Sequence, residues 1–258
     1  MTHRPSRPLL QAFAALAATV FALTLAAPSH PFPDKKYDPG ASDTEIKIGS
    51  IMTYTGWARQ YGSIGRAEAA YFQMVNDRGG IHGRKINFIS LDSASDASAA
   101  LPLAKKLVEE DHVLLIFGAL GTETNFAIRP YLNDQKIPQL FIDTSSSAFN
   151  DPARFPWTIS FDASFRSEGA AYAKYVLQTK PAAKIGILYA NDDSGRDYLA
   201  GVHDALAAKA SAMIVKETSY SPSDAAIDAQ IQSLKDSGAD VFFDFAIGPF
   251  ATQAIRKS

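Results

Sequence analysis

The 258-residue chain has 47% apolar and 20% charged residues, an ordinary globular composition. Its net charge of −2 lacks the basic footprint of a nucleic-acid binder. It has no cysteine, which excludes disulfides, thiol catalysis, Cys-ligated zinc and a lipid-modified N-terminal cysteine.

The chain opens on MTHRPSRP, basic and without acids, followed by a nearly uniform apolar run over residues 9–27. Small residues and the Pro-rich PSHPFPDKKYDPG come next. That layout is a secretory signal peptide over 1–27 with a flexible lead-in over 28–43. An uncleaved membrane anchor is the alternative, weakened by Gln11, Thr19, Thr24 and many alanines.

From Glu45 the pattern becomes regular. EIKIGSIM reads as a strand, and Ile64, Ala67, Tyr71, Met74 and Val75 give helical spacing over 62–77. RKINFISL is a strand and 98–110 a helix with Leu103, Leu107 and Val108 on one face. HVLLIFG is a nearly continuous apolar strand, as expected when both faces are covered. A helix over 122–134 and the strand PQLFID follow.

SSSAFNDPARFPW interrupts the alternation with two prolines and little periodicity. Beyond it come a helix over 165–177, the strand AKIGILY, a helix over 195–209 and the strand AMIVKETSY. A helix over 226–237, the strand DVFFDF and the start of another helix complete the chain. Strand–helix alternation on both sides of a break predicts an α/β fold of two doubly wound parallel-sheet lobes joined by a hinge. The divisions are 44–150 for lobe one, 151–163 for the hinge or crossover and 164–258 for lobe two. Three strands are few for a doubly wound lobe, so the expectation is a second lobe that is truncated.

Enzyme signatures are missing. There is no G-x-S-x-G, H-E-x-x-H or G-x-x-x-x-G-K-[ST], and TYTGWARQYGSIG lacks the G-x-G-x-x-G spacing of a dinucleotide fold. His3, His30, His82, His112 and His203 are scattered, and none pairs at metal-ligand spacing. No catalytic residue, metal or cofactor is expected. Asp92 and Asp96 follow a strand end, where a turn or helix N-cap role is the commoner one. In NDRGGIHGRKI, Gly79 and Gly80 are placed to end a helix and Gly83 to turn the chain; the loop enters a strand, so it is no phosphate loop.

Polar and aromatic residues instead gather after the strands, where open α/β sheets bind ligands. Trp57 and Tyr61 follow the first strand, and Leu120, Gly121 and Thr122 the third. Thr144, Ser145 and Ser146 follow the fourth. In lobe two, NDDSG and residues 246–248 hold the equivalent places. Each loop alone reads first as a capped helix start. Together, hydroxyls, aromatics and helix N-termini suit a small anion with an apolar or aromatic body.

Six segments in order resemble a known family: IKIGSIMTYTGWARQYG, VNDRGGIHGRKINFISLDSASD, AKKLVEEDHVLLIFG, KIPQLFI, AKIGILYANDDSGRDYLAGVHDAL and LKDSGADVFF. They are similar to the periplasmic solute-binding proteins of ABC transporters, of the leucine/isoleucine/valine-binding type, over about residues 44–258. The resemblance implies a type I periplasmic binding fold that closes on a solute in its cleft. It implies that hydroxyls after strands three and four hold a ligand carboxylate, here Thr122 and residues 144–147, under an aromatic wall at Tyr61 with Trp57 beside it. Ser194 and Ile247 occupy places where the amino-acid binders often carry tyrosine. Asp143 and Ser145 replace small apolar residues of the fourth-strand loop. The ligand so implied is an amino acid, an aromatic or other carboxylate, or an amide. The implied partners are that small-molecule solute and an ABC permease in the inner membrane, with no nucleic acid, for a monomer in the periplasm. A ligand-sensing domain of the same fold is the alternative, and an α/β hydrolase a more remote one.

Overall fold

The computed structural model describes residues 36–258. The signal-peptide reading of 1–27 lies outside the described residues, as does the first half of the 28–43 lead-in. Residues 40–42 are not a free tether: the Gly40 carbonyl accepts the Lys47 N–H at 2.7 Å, and the Ser42 N–H donates to Glu45 at 2.9 Å. Asp38–Ser258 is one compact unit.

Its first sheet is wholly parallel, in the order β2-β1-β3-β4-β5. The strands are β1 (Glu45–Met52), β2 (Lys85–Asp92), β3 (Leu115–Phe117), β4 (Gln139–Ile142) and β5 (Thr158–Ser160). The helices are α1 (Gly62–Asp77), α2 (Ala100–Lys105) and α3 (Thr122–Asp134). Strand side chains alternate between faces. Ile51 and Ile116 therefore pack with Leu107, Ile128 and Leu132 on the α2–α3 side. On the other side Phe72 of α1 meets Phe88 and Phe117 at ring distances of 5.0 and 5.6 Å. Over β4 and β5 that second face is open, leaving Phe141, Ile159 and Phe161 exposed.

The second sheet has the order β7-β6-β8, again parallel. It consists of β6 (Ile185–Ala190), β7 (Ile214–Tyr220) and β8 (Val241–Phe245). Ile185 and Ile187 pack with Ala173, Val202 and Leu206, from α4 (Phe165–Thr179) and α5 (Asp193–Leu206). A four-residue helix, α6 (Ala210–Met213), leads into β7. Leu188 and Ala190 face the opposite way, against α7 (Asp228–Asp236) and α8 (Gly248–Lys257). Both faces of β6 are covered, which explains its unbroken apolar run.

The expected elements are present with shifted ends. The 98–110 helix is divided into a 3-10 turn, α2 and a π turn at Lys106–Glu110. The 195–209 helix begins earlier, because the Asp192 carboxylate accepts the Gly195 N–H at 2.9 Å and caps α5. The strand expected from Ala212 begins at Ile214, after α6. In NDRGGIHGRKI, Gly79, Gly80 and Gly83 all have positive φ, and Ile81 and Arg84 close a two-residue turn.

The stretch read as hinge or crossover contains a strand. β5, within 151–163, adds to the edge of the first sheet beside β4. A side-chain network fixes it there. Asn133 donates to Thr158 Oγ1 at 2.8 Å, which donates to Gln139 Oε1 at 2.9 Å, while Gln139 donates to Asn125 Oδ1 at 2.8 Å. Arg129 orders the preceding residues. Its guanidinium lies 4.7 Å from the Phe149 ring and 3.9 Å from Phe155, and its Nη1 donates to the Ala148 carbonyl at 2.9 Å.

Candidate functional site

A strand order of 2-1-3-4-5 reverses direction between β1 and β3, and the loops beyond their carboxyl ends splay apart into a crevice. Those loops are the ones that carry Trp57, Tyr61, Leu120, Gly121 and Thr122. In the second sheet the reversal lies between β6 and β8, whose loops carry Ser194 and Ile247. The two reversals face each other. Glu123, in the first turn of α3, is close enough to Asp192, Asp193 and Arg196 at the start of α5 for their charges to act on it. Burial and then the Asp193 and Asp192 charges push its carboxyl up, partly offset by Arg196 and the Asp193 N–H. Gly248 of α8 lies against the lobe-one loop: a Cβ on it would sit 2.4 Å from Gln60 Nε2 and 3.9 Å from the Trp57 ring.

The loop after β1 is held from below. Asp92 accepts the Tyr54 N–H at 2.9 Å, the Ala94 N–H at 2.8 Å and the Thr55 hydroxyl at 2.6 Å. Burial opposes ionisation of Asp92, but these hydrogen bonds hold its carboxyl below the usual range. Asp92 and Asp96 thus have the turn and cap roles expected of them, Asp96 accepting the Ser98 N–H at 2.8 Å. Tyr61 is half-buried and Trp57 more exposed. Tyr61 lies within electrostatic reach of Tyr198 and Tyr220 in lobe two.

Thr122 Oγ1 and Thr144 Oγ1 lie 2.7 Å apart. The residue before Thr122 is Gly121, so no side chain caps α3. First-turn N–H groups of a helix have no intrahelical acceptor, and the helix dipole makes that end positive. Lobe one therefore presents a positive helix end, flanked by two hydroxyls, towards lobe two. The Leu120 and Gly121 N–H groups are committed elsewhere, to the Ile51 and Asp143 carbonyls. Ser146 is buried and its N–H donates to Thr144 Oγ1 at 3.3 Å; Ser145 is half-buried, and its carbonyl accepts the Phe165 N–H at 2.8 Å.

The lobe-two candidates are tied up differently. The Ser194 hydroxyl donates to the capping Asp192 at 2.6 Å. The Ile247 N–H donates to Tyr220 Oη at 2.9 Å. Burial raises the Tyr220 phenol well above its ordinary range, so it remains a neutral hydroxyl at physiological pH. Tyr220→Phe removes the acceptor of a half-buried N–H. It should cost about 1–3 kcal/mol in a urea titration. An unchanged midpoint would mean that this bond does not hold the Ile247 loop.

Sequence reasoning missed Asn125. Fully buried, it donates to the Ala119 carbonyl at 2.6 Å and the Gly121 carbonyl at 2.9 Å, so it shapes the loop that leads into Thr122. Its signal was a polar residue on the inner face of α3, visible only once that face is known. Among the described residues, no group of three or more His, Cys, Asp or Glu is placed to hold a metal ion. None of the described helices is long and apolar enough to cross a membrane.

Two facing sheet reversals with ligand-type loops describe a cleft between the lobes. The periplasmic binding protein family matches residues 45–257. The chain belongs to that family. Periplasmic binding proteins are receptors for solutes, not enzymes. An amino acid binding protein of Pseudomonas aeruginosa is 22% identical over 228 residues, 83% of this chain and 57% of the relative. The Leu/Ile/Val-binding protein of Escherichia coli is 25% identical over 217 residues, 83% of this chain and 58% of the relative. The chain thus spans under three-fifths of the length of these curated relatives. Among solved periplasmic binding proteins, a substrate-binding protein from Ralstonia solanacearum superposes with a TM-score of 0.74 at 21% identity, covering 83% of this chain and 60% of that one. A solute-binding protein of an ABC transporter from Rhodopseudomonas palustris, in complex with 3,4-dihydroxybenzoic acid, superposes at 0.70 with 22% identity, covering 80% and 55%. At these identities the structures speak for the shared fold.

Proposed function

We propose that this chain is the solute-receiving part of an extracytoplasmic receptor that delivers a small ligand to an ABC permease in the inner membrane. The ligand class is an amino acid, an aromatic or other carboxylate, or an amide. The observation that carries this reading is the uncapped N-terminus of α3 with the Thr122–Thr144 hydroxyl pair beside it, facing the second lobe. A carboxylate or amide oxygen there would accept from the hydroxyls and the first-turn N–H groups. Trp57 and Tyr61 would cover the ligand's apolar body. A ligand that binds the closed arrangement better shifts the lobes towards it. Relatives named for leucine, isoleucine and valine, and structures holding 3,4-dihydroxybenzoic acid or 4-hydroxybenzoate, support the ligand class. Ser194 and Ile247 direct the screen beyond leucine-like solutes.

The test is a thermal-shift screen against amino acids, aromatic acids, short carboxylates and amides. A ligand at a hundred times its dissociation constant stabilises by about 2.7 kcal/mol. A flat response across all four classes would end this reading. For a ligand that responds, Thr122→Ala should weaken binding by about 1–3 kcal/mol in calorimetry. An unchanged dissociation constant would remove Thr122 from the site.

A further inference from the structure

The loop bearing the candidate hydroxyls is bonded to both lobes. On its lobe-one side, Ser160 at the end of β5 donates to the Thr144 carbonyl at 3.3 Å. On the lobe-two side, Asp197 of α5 accepts the Ser147 N–H at 2.8 Å and the Ser147 hydroxyl at 2.5 Å. The same carboxylate accepts the Arg166 N–H, in the first turn of α4, at 3.3 Å. Among the described residues the chain passes between the lobes once, from β5 to α4 through residues 161–164.

Asp197 does not act from a loose helix. Asp197, Gly201 and Asp204 lie on one face of α5, at helical spacings of four and three. Gly201 packs directly on the Arg166 backbone, and Asp204 pairs with the Arg166 guanidinium at 2.6 Å. The beginning of α4 and the middle of α5 therefore form one body. From that body Asp197 reaches out to Ser147, one residue beyond the candidate ligand contacts. Three donors share this one side chain.

We infer that Asp197 is the pivot residue of the cleft: it locates the axis about which the lobes turn and ties that axis to the conformation of residues 144–147. The pivot stands on the geometry alone, and its coupling to ligand rests on the solute-binding reading above. A bond beside the crossing moves little when the lobes rotate, so it can persist through opening and closing. Asp197 is a positioning residue and is not required to touch the solute.

The absence of cysteine makes the test direct. Arg78→Cys and Lys209→Cys place spin labels on exposed sites at the outer ends of the two lobes. Pulsed dipolar spectroscopy on the full chain then reads the distance between them. Asp197→Ala and Ser147→Ala should each broaden or shift the distance distribution without ligand, with Asp197→Asn intermediate. Ser147→Ala leaves the Arg166 bond intact, so it carries the test if Asp197→Ala fails to fold. Distributions that superimpose on the parent for Ser147→Ala and for every folded Asp197 variant would overturn the pivot. With a solute from the screen, such as a benzoate, both alanine variants should bind several-fold more weakly, chiefly through faster dissociation. Altered distances with unchanged affinity would overturn the coupling to the ligand loop. Altered distances in a protein that binds no solute would support the pivot and count against the solute reading.

Discussion

Gly201→Ala is expected to destabilise the protein by about 2–3 kcal/mol, or to prevent folding. A Cβ at this position would lie 1.9 Å from the Arg166 carbonyl oxygen and 2.7 Å from its carbon. Both are backbone atoms of α4, so no rotamer change relieves the clash. Gly169 of α4 approaches α5 in the same way, its Cβ position 2.3 Å from the Tyr198 carbonyl oxygen. The two glycines let the helices pack at backbone contact. Separating them would also loosen the stacked Phe165, Tyr198 and Phe245 rings, whose centroids are 4.7 and 4.4 Å apart. Lys174→Ala, at an exposed position of α4, is the control and should change stability by roughly 0.5 kcal/mol or less. Urea titration of the three proteins decides the matter. Coincident midpoints for Gly201→Ala and the parent would refute the close packing.

Thermal stability should fall as pH rises from 5 to 8, and Glu68→Gln should remove much of that fall. Glu68 of α1 lies under Gly118, close to Asp143 at the end of β4. Its Oε2 and the Asp143 Oδ2 are buried without hydrogen-bond partners, as is the Ser50 hydroxyl on β1. Burial, and then the Asp143 charge, push the Glu68 carboxyl from 4.5 up to about 7. Burial, and then the exposed Asp162 beyond β5, push Asp143 from 3.8 up to about 6. Among the described residues, the causes at both positions are burial and a neighbouring acid, with no lysine or arginine beside them.

Folded carboxyls that hold their protons more tightly than unfolded ones favour the native state at low pH. For Glu68 that stability is fully present below about 4.5 and is lost as pH rises through about 7. A neutral amide of the same shape avoids the cost. Glu68→Gln should therefore raise the melting temperature at pH 8, by roughly 2–4 °C per kcal/mol of repulsion relieved, and change it little at pH 5. Calorimetry at the two pH values tests the sign. Parallel losses in parent and variant would place the dependence elsewhere. Asp143 adjoins Thr144, so the same titration reaches the loop that presents the candidate hydroxyls.

Much of this architecture could be read before any coordinates. Period-2 and period-3.6 patterns located seven of the eight strands among the described residues, and the longer helices, because each buries a regular stripe or face. The loops at the strand ends followed from the alternation itself. Lobe one's candidates were legible as loop residues, but not their states. Thr122 and Thr144 differ by 22 positions in sequence, and only the sheet order places their hydroxyls 2.7 Å apart. Ser194 looked available, yet its hydroxyl is directed to the Asp192 that caps its own helix.

The strand at 158–160 shows where local reading ends. Three residues cannot display a period, and this strand owes its place to Gln139, Asn133 and Asn125, 19 to 33 positions away. Arg129 likewise orders a segment whose own residues specify no regular element. The residues in their order carry the α/β class, the two parallel sheets and the absence of an enzyme motif, since those depend on short-range periodicity and spacing; the family entered through a resemblance of whole segments. Tertiary structure alone decides which hydroxyls pair, which carboxyls lack partners and which acid joins the lobes. Hydrogen bonds and desolvation act between groups within a few ångströms, whatever their separation along the chain.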